Sequence, residues 1–293
     1  MTDLYPKSFV GLATWARSNG VTVEEARQRY AQFVVLCGIA SVGSLRDHLV
    51  FKGGNALDFV LQPNRSTIDL DFSLDMAGGA ELANADAIRD ALLLGLRRAA
   101  SRYSLGLTVH SVRQNPRGSD RTFATFEARV GYALPDERQL LIRMANDQPS
   151  PHVIPVEVST NEPISAATHF LVDASIGSLR ICTLEDIVGE KLRSLLQQSI
   201  RNRNRRQDVL DLAVIIQAHP MIDRLRVADA LQLKAIARNV LVSRAEFRNP
   251  ELALRARFGY EALEATTRVT FIPFDRALAI VLDFVDKLPI PAG

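Results

Sequence analysis

The segment Leu49–Phe72 constrains the fold of this chain more than any other, because its local pattern changes three times within a short distance. Three apolar residues, Leu49–Phe51, predict a short buried strand, and the glycine-rich triplet Lys52–Gly54 predicts a tight turn. A short helix is expected to begin at Asn55 and to end before Pro63. A second strand is predicted after this break.

The second strand carries two acids on one face. Asp69 and Asp71 alternate with the apolar residues Ile68, Leu70 and Phe72. Successive strand side chains point to opposite faces, so the apolar residues are expected to face the core, while the two aspartates project together roughly 7 Å apart. Two carboxylates at this distance repel each other unless a cation lies between them. Mg²⁺ binds one or two protein carboxylates and completes its shell with water and phosphate oxygens, so a magnesium site is predicted here.

The diglycine Gly53-Gly54 adds a second half to this site. Without Cβ atoms the backbone approaches a phosphate closely, and the amides at the start of a helix bind anions. A lone Asp-x-Asp is more often the solvated face of an amphipathic strand, but the diglycine and helix just upstream favour a phosphate and metal site. A P-loop is excluded, since the sequence contains no Gly-x-x-x-x-Gly-Lys-Ser/Thr.

Composition excludes several classes of protein. The 293 residues suggest about two domains, and 47% apolar residues supply a core. The net charge of +2 is too small to indicate nucleic-acid binding by itself. Cys37 and Cys182 form neither a zinc motif nor a disulfide framework. We find no signal peptide and no apolar stretch of about 18 residues, so a soluble, cytoplasmic protein without membrane contact is expected.

The periodicity predicts an α+β fold, in which a mixed sheet of about five strands has helices on one side. Helices are predicted at 6–18, 23–41 and 81–102, and further strands at 105–113, 121–132, 138–145 and 152–159, with a turn at 114–120. From about residue 165 the pattern becomes helical, with helices predicted at 183–198, 207–219, 224–239, 249–265 and 274–287. We therefore predict a core domain with N-terminal helices at 1–165 and a helical domain at 166–293.

Glu157 is a candidate third acid for the metal site. It lies in the predicted strand VIPVEVS, on the face opposite to Ile154, Val156 and Val158. An acid on a neighbouring strand can bind the metal or act as a general base on an incoming hydroxyl. The spacing favours equally an ordinary exposed strand acid.

The helical half contains charged residues in unusual places. Lys191 lies four residues from both Ile187 and Leu195, on the apolar face of its helix. Either the side chain extends to solvent, or its ammonium enters a cleft as the counter-charge of a triphosphate. Asp208 and Asp211 share one face of an otherwise apolar helix. Four arginines just before this helix form either a solvated surface or a phosphate-binding one; they are Arg201, Arg203, Arg205 and Arg206.

Four motifs in this order resemble the AbiEii family of nucleotidyltransferase toxins, which belongs to the polymerase-β-like nucleotidyltransferase superfamily. They span about residues 48–215 and read Lys52-Gly53-Gly54-Asn55-Ala56-Leu57, Arg65-Ser66-Thr67-Ile68-Asp69-Leu70-Asp71-Phe72, Glu190-Lys191-Leu192 and Arg205-Arg206-Gln207-Asp208-Val209-Leu210-Asp211-Leu212. Each motif is weak alone, and the ordered set is specific. Asn55 departs from the family pattern, which has a small hydroxyl residue there, although an amide also donates to phosphate.

The resemblance implies roles for individual residues. It implies that Asp69 and Asp71 bind catalytic Mg²⁺ and that Lys191 contacts the triphosphate. It also implies that one acid of the pair Asp208 and Asp211 is essential, and we favour Asp208. The nucleotide is expected to contact Lys52, Gly53, Gly54, Asn55, Thr67, Lys191 and Asp211, with its phosphates held by Gly53 and Gly54.

The function that the resemblance implies is transfer of NMP from an NTP to an acceptor hydroxyl, with the 3′ end of tRNA as the acceptor. Such a protein acts as a toxin in a toxin–antitoxin or phage-defence system, beside a cognate antitoxin that is a DNA-binding repressor. The arginines between 201 and 206 are then candidates for holding RNA. The alternatives are a small-molecule nucleotidyltransferase of the antibiotic-modifying type and an inactive nucleotide-binding partner protein.

Overall fold

The computed structural model describes residues 5–65, 67–116 and 123–293. Most of the turn predicted at 114–120, the first two residues of the strand predicted at 121–132, and Ser66 lie outside these residues. The chain forms two compact units, and both are discontinuous in sequence. Unit 1 consists of Met1–Val60, Thr67–Glu162 and Thr168–Ile181, and unit 2 of Leu61–Ser66, Pro163–Ala167 and Cys182–Gly293.

Unit 1 contains a mixed sheet of seven strands in the order β3-β4-β5-β2-β1-β7-β6. The strands are β1 Leu49–Lys52, β2 Leu70–Leu74, β3 Gly106–Asn115, β4 Thr125–Ala133, β5 Val153–Ser159, β6 Ala167–Asp173 and β7 Gly177–Cys182. Strand β2 lies at the centre, antiparallel to β1 and parallel to β5. Strand β1 also pairs in parallel with β7, and β4 pairs antiparallel with both β3 and β5. The α+β fold class is confirmed.

Seven helices accompany this sheet in the described part of unit 1. They are α1 Leu12–Ser18, α2 Val23–Ala40, α3 Gly43–His48, α4 Gly53–Ala56, α5 Met76–Gly79, α6 Ala85–Tyr103 and α7 Arg138–Ala145. Helix α2 begins at the predicted Thr22 cap, whose hydroxyl accepts the Glu25 N–H. Helix α4 continues into a π-helical turn, Leu57–Leu61.

The alternation of the two central strands positions the site. In β2 the side chains of Leu70 and Phe72 are fully buried, and in β5 those of Ile154, Val156 and Val158 are. Asp71 and Glu157 lie between them and are only partly buried. The sheet therefore turns its apolar face to the core and leaves these acids on the opposite face.

Several elements of unit 1 differ from the sequence predictions. Residues 138–145 form helix α7 and not a strand, since Arg, Gln, Leu, Met and Ala are strong helix formers and a short apolar run does not separate the two states. The sheet has seven strands and not five, because β6 and β7 lie in the region predicted to be helical. Ile68 does not face the core, because β2 begins only at Leu70 and leaves Ile68 55% exposed. Helices α1 and α6 begin later than predicted, at Leu12 and Ala85.

Unit 2 is helical. Its helices are α8 Leu184–Leu196, α9 Gln198–Arg201, α10 Arg206–Ala218, α11 Arg224–Ala237, α12 Arg244–Phe247, α13 Pro250–Arg257 and α14 Phe274–Asp286. A 3₁₀ segment, Tyr260–Thr266, occupies part of the helix predicted at 249–265. Helix α10 packs against α8, α13 and α14, which explains why it is apolar on nearly every side.

No helix in the described ranges combines the length and apolar character that crossing a bilayer requires.

Candidate active site

Strand β1 runs directly into the predicted glycine turn. Gly53 has a φ of +74°, a conformation that favours glycine. A Cβ atom on Gly53 would lie 2.2 Å from Asp71 Oδ2, and one on Gly54 would lie 2.7 Å from Thr67 Cγ2. The space that side chains would fill at these positions is therefore taken by the Asp71 carboxylate and by Thr67. The diglycine and the Asp-x-Asp strand thus form one site.

The register of the sheet places three acids side by side. Asp71 of β2 pairs with Lys52 of β1 on one side and with Glu157 of β5 on the other. Glu157 in turn pairs with Glu127 of β4. Residues directly opposite each other project from the same face of a sheet, so Asp71, Glu157 and Glu127 form a row on this face. Glu127 was not predicted, because only the strand register reveals it.

The accumulated negative charge changes the acidity of Asp71. Burial, followed by the charge of Asp69, raises the pKa of Asp71 to about 7. Glu157 and Glu162 raise this pKa further, and Lys52 lowers it. A carboxylate in this position is stabilised by a nearby cation.

The donor set suits a hard divalent cation. Over residues 5–65, 67–116 and 123–293, no group of three or more His, Cys, Asp or Glu side chains is arranged to hold a metal ion. Asp69 and Asp71 offer two carboxylates beside a glycine turn, which is what Mg²⁺ requires when water and substrate phosphates supply its other ligands. The residues therefore fit Mg²⁺, and Glu157 as a third ligand stays a prediction.

Lys52 closes the other side of the acidic row. Its ammonium forms an ion pair with the carboxylate of Glu162, which lies just after β5. Both side chains are largely buried, with 16% and 9% of their surface exposed. A lysine in this environment supplies positive charge next to Asp71, and Glu162 holds it in place.

Two buried amides hold the segment that leads into β2. Asn55 Nδ2 donates to Thr67 O at 3.2 Å and to Asp69 O at 2.6 Å. Gln32 Nε2, from α2, donates to Thr67 O and Ile68 O, both at 2.9 Å. The amide nitrogen of Asn55 is thus engaged with backbone carbonyls of this segment. The hydroxyl oxygen of Thr67 is buried without a hydrogen-bond partner among the described residues, so it is a polar group that a ligand can satisfy.

Unit 2 contains a buried charge cluster around Lys191. Lys191 Nζ donates to Asp208 Oδ1 at 2.9 Å and to Asp211 Oδ2 at 2.8 Å. Arg65 Nη2 donates to the same Asp211 oxygen at 3.4 Å. The cluster, defined by these four residues, contains two cations and two anions. The sequence-predicted Lys191, Asp208 and Asp211 are brought together here, and Arg65 joins them from a distant part of the chain.

The members of this cluster differ in how fully they are paired. Burial lowers the pKa of Lys191, but the charges of Asp208 and Asp211 outweigh burial and raise it. Burial likewise raises the pKa of Asp211, and Lys191 and Arg65 lower it below its usual range. Asp208 Oδ2 is buried and accepts no hydrogen bond from the described residues, although Arg205 Nε lies 4.0 Å away. Asp208 is therefore the less satisfied acid of the two.

The predicted arginines lie on the surface of unit 2. Arg201 and Arg203 are exposed, and Arg206 Nη1 donates to Gly259 O at 2.9 Å. Helix α9 packs against α13, and Arg255 of α13 donates to Asn202 Oδ1 at 3.0 Å. Phe258, beside Gly259, is 71% exposed. We call the group Arg201, Arg203, Arg206, Arg255 and Phe258 the basic surface.

The sequence contained a weak signal for two of the residues that were missed. Gln32 is a polar residue within a helix whose surroundings are apolar, and it is 1% exposed. Arg65 lies in the quoted motif, but its partner Asp211 is far away in sequence. A buried amide and a motif arginine both indicate a tertiary partner, which the local pattern does not identify.

The chain is similar to known proteins in sequence and in fold. The sequence model of the family described as "Nucleotidyl transferase AbiEii toxin, Type IV TA system" matches residues 34–280. The solved structure of JHP933 from Helicobacter pylori superimposes with a TM-score of 0.53 and 16% identity, covering 91% of this chain and 94% of that one. The nucleotidyltransferase toxin MenT4 from Mycobacterium tuberculosis H37Rv gives a TM-score of 0.54 and 16% identity, covering 94% and 89%.

At these identities the two structures support the fold alone. Comparison with curated proteins gives no match. The match to the family spans most of the chain and includes the glycine turn, the Asp-x-Asp strand and the Lys191 cluster. The chain therefore belongs to the AbiEii family of nucleotidyltransferase toxins.

Proposed function

We propose that this protein is a Mg²⁺-dependent enzyme that transfers NMP from an NTP to an acceptor hydroxyl, with the 3′ end of tRNA as the acceptor. The observation that carries this proposal is the contact between the glycine turn and the acid pair. The Asp71 carboxylate occupies the place that a Cβ of Gly53 would take, so a phosphate bound at the turn lies next to the carboxylates.

The acid pair, the glycine turn and Thr67 would each hold part of the nucleotide or its metal. Asp69 and Asp71 would hold Mg²⁺, which would neutralise negative charge at the phosphates. The backbone amides at Gly53, Gly54 and Asn55 would donate to phosphate oxygens. The buried Thr67 hydroxyl has a donor to offer to the same phosphates. Catalysis of this kind depends on positioning and on electrostatics.

In this proposal Lys191 also donates to a phosphate oxygen of the nucleotide. An ammonium has three N–H groups, and the Asp208 and Asp211 carboxylates accept two of them. Its raised pKa keeps Lys191 charged at every physiological pH. Asp208, with an oxygen that accepts no hydrogen bond from the described residues, supports our choice of Asp208 as the essential acid.

The basic surface supports an RNA acceptor. Guanidinium groups bind phosphates with two parallel hydrogen bonds, and an exposed aromatic ring such as Phe258 offers a face on which an unpaired base stacks. A small cationic drug would instead require an acidic pocket. One recess in unit 2, of about 410 Å³, is lined by Leu184, Glu185 and residues 218–222, and Glu185 is the acid in that lining.

Modification of tRNA would block translation, which is the basis of toxicity in this proposal. The family is described as a type IV toxin–antitoxin system, so we also propose an antitoxin encoded nearby. A DNA-binding repressor is the class of antitoxin that we favour.

The test is to incubate purified protein with total tRNA, Mg²⁺ and each labelled NTP in turn. Asp69→Ala serves as the inactive variant. Asp229→Ala, which removes an exposed acid from α11, serves as the matched control. We expect label from one NTP to enter tRNA with wild type and with Asp229→Ala, and none with Asp69→Ala.

Three outcomes would contradict the proposal. Equal labelling by Asp69→Ala would remove the metal role of this aspartate. Labelling of no tRNA by any NTP, with pyrophosphate released in the presence of a small acceptor, would establish the small-molecule alternative. Nucleotide binding without turnover would identify an inactive partner protein.

A further inference from the structure

The three residues before β2 have no regular secondary structure, although they end in a proposed metal ligand. Residues 67–69 belong to neither a helix nor a strand, and β2 starts at Leu70. Their carbonyl groups therefore lack ladder partners and must be satisfied in another way. Side-chain amides do this: all three carbonyls, of Thr67, Ile68 and Asp69, accept hydrogen bonds from Gln32 or Asn55.

The two amides bind different pairs of these carbonyls. Asn55 binds both ends of the segment, at Thr67 and Asp69, from the helix that follows the glycine turn. Gln32 binds Thr67 and Ile68 from α2. Asn55 and Gln32 are each 1% exposed, so water does not readily replace either amide when it is removed.

The path of the segment sets where the Asp69 carboxylate lies. A side chain leaves the backbone in a direction fixed by the local φ and ψ angles, and consecutive carbonyls held from one side fix those angles. The Ile68 side chain contributes little to this, because it is 55% exposed. The hydrogen bonds from Gln32 and Asn55 thus restrict the backbone of residues 67–69 at all three carbonyls.

We propose that Gln32 is a positioning residue for the metal-binding carboxylate of Asp69, acting through the carbonyls of Thr67 and Ile68. This inference rests on the proposed function, because it takes Asp69 as a ligand of Mg²⁺. Gln32 does not touch the metal or the substrate. It acts as partners of metal ligands commonly do, by holding the ligand in the geometry that binding requires.

The test uses variants of α2 that differ in which carbonyls they leave unpaired. Gln32→Met keeps the size of the side chain and removes both donors. Gln32→Asn keeps an amide but shortens its reach, and it serves as the less disruptive variant. Tyr30→Phe is the matched control, since Tyr30 lies on the same helix, is 2% exposed and donates to a carbonyl outside the segment, that of Tyr103 at 3.2 Å.

The first readout is binding of Mn²⁺ to the full-length protein, measured from the electron paramagnetic resonance signal of the free ion. We expect Gln32→Met to weaken Mn²⁺ binding by about tenfold or more, and Gln32→Asn to weaken it less. Tyr30→Phe should bind Mn²⁺ as wild type does. In NMP transfer, the Mg²⁺ concentration for half-maximal rate should rise in Gln32→Met while the KM for NTP changes little.

The second readout is hydrogen exchange at the amides of residues 68–71, which requires neither metal nor activity. Exchange there should become faster in Gln32→Met and stay unchanged in Tyr30→Phe. Unchanged Mn²⁺ affinity in Gln32→Met, or an equal loss in Tyr30→Phe, would overturn the inference. If wild-type protein bound no Mn²⁺ and transferred no NMP, the proposed function and the inference drawn on it would both fail. Faster exchange in Gln32→Met alone would then leave Gln32 a purely structural contact.

Discussion

Asp71 combines two properties that make metal binding sensitive to pH. Its carboxylate lies against Gly53, and burial together with Asp69 raises its pKa to about 7. In the metal-free protein it therefore carries a proton over much of the acidic range. Mg²⁺ binds the ionised carboxylate, so below this pKa the ion has to displace the proton.

We expect the affinity for Mg²⁺ to fall about tenfold for each pH unit below about 7 and to level off above it. The folded pKa lies above the unfolded value of 3.8, so the contribution of Asp71 to metal-free stability is present below 3.8 and is lost as pH rises through about 7. Calorimetric titration with Mg²⁺ between about pH 5 and 9 would measure this. An affinity independent of pH would contradict it.

Gly53 is expected to tolerate no side chain. Gly53→Ala combines a positive φ with a Cβ placed 2.2 Å from Asp71 Oδ2, so it should cost more than about 2 kcal/mol and displace the carboxylate. Gly20→Ala is the matched control, because Gly20 has a φ of +65° and no atom within 4 Å of the added Cβ. It should cost about 1 kcal/mol from backbone strain alone. Denaturant unfolding would measure both losses of unfolding free energy. Equal losses would show that the Asp71 side chain moves aside without a further loss of stability.

Lys191 is a structural residue as well as a catalytic candidate. Lys191→Met would leave two buried carboxylates with one cation fewer, and should lower the free energy of unfolding by about 3–5 kcal/mol. Lys287→Met, which breaks an exposed pair with Asp283, should change it by less than about 1 kcal/mol. Urea unfolding of both variants would measure the difference. Similar losses in the two variants would mean that, without Lys191, Asp208 and Asp211 become protonated or hydrated at little cost in free energy.

The residues of the site were predictable where one short segment carries the whole pattern. Asp69, Asp71 and the diglycine lie within a few positions of each other, so alternation and the turn predict their proximity. The pairing of Arg65 with Asp211 and the contact of Gln32 with Thr67 join distant positions, which local periodicity does not reveal. Ile68 was assigned to the core because alternation alone does not show where β2 begins.

At the level of elements, the predictions from sequence failed at a helix and a strand that bury few side chains. Helix α7 buries none of its residues fully, and its eight residues are too few for the apolar spacing to separate a helix from a strand. Strand β6 is at the edge of the sheet and buries only Val172, which leaves little apolar alternation to recognise. The strands next to the site, β2 and β5, bury alternate side chains completely and were predicted.

A substitution in α7 distinguishes a helix from the strand that was predicted there. Ile142 is 63% exposed, and alanine is the better helix former. Ile142→Ala should therefore leave the free energy of unfolding unchanged or raise it by about 0.5 kcal/mol. Val130→Ala in the buried strand β4 should lower it by about 2 kcal/mol, as a positive control for the denaturant measurement. A loss at Ile142 as large as this would favour the strand.

At the scale of the whole molecule, each unit is formed from separate stretches of the chain that alternate along the sequence. Residues Leu61–Ser66 belong to unit 2, although the residues on both sides of them belong to unit 1. Asn64 within this excursion exchanges hydrogen bonds with the Thr270 backbone at 2.8 and 3.1 Å, and its carbonyl accepts the Arg268 N–H. The excursion is thus a structural part of unit 2.

Removing the Asn64 side chain should loosen a region distant in sequence. Asn64→Ala leaves a half-buried donor and acceptor at Thr270 unpaired, and we expect a loss of about 1 kcal/mol with faster hydrogen exchange at residues 267–272. Asn84→Ala removes the cap of α6 in unit 1 and should cost about 1 kcal/mol without affecting those amides. Protection at 267–272 that is unchanged in Asn64→Ala would contradict this role.

The strand order also determines when the fold can be completed during synthesis. Strand β1 leads into the glycine turn, yet its parallel neighbour β7 leaves the ribosome only after all of β2 to β6. Asp211, the partner of Arg65, is translated later still. A nascent chain that already exposes Asp69 and Asp71 therefore lacks both the finished sheet and the Lys191 cluster. For a nucleotidyltransferase built in this way, we expect activity only after translation has passed Asp211.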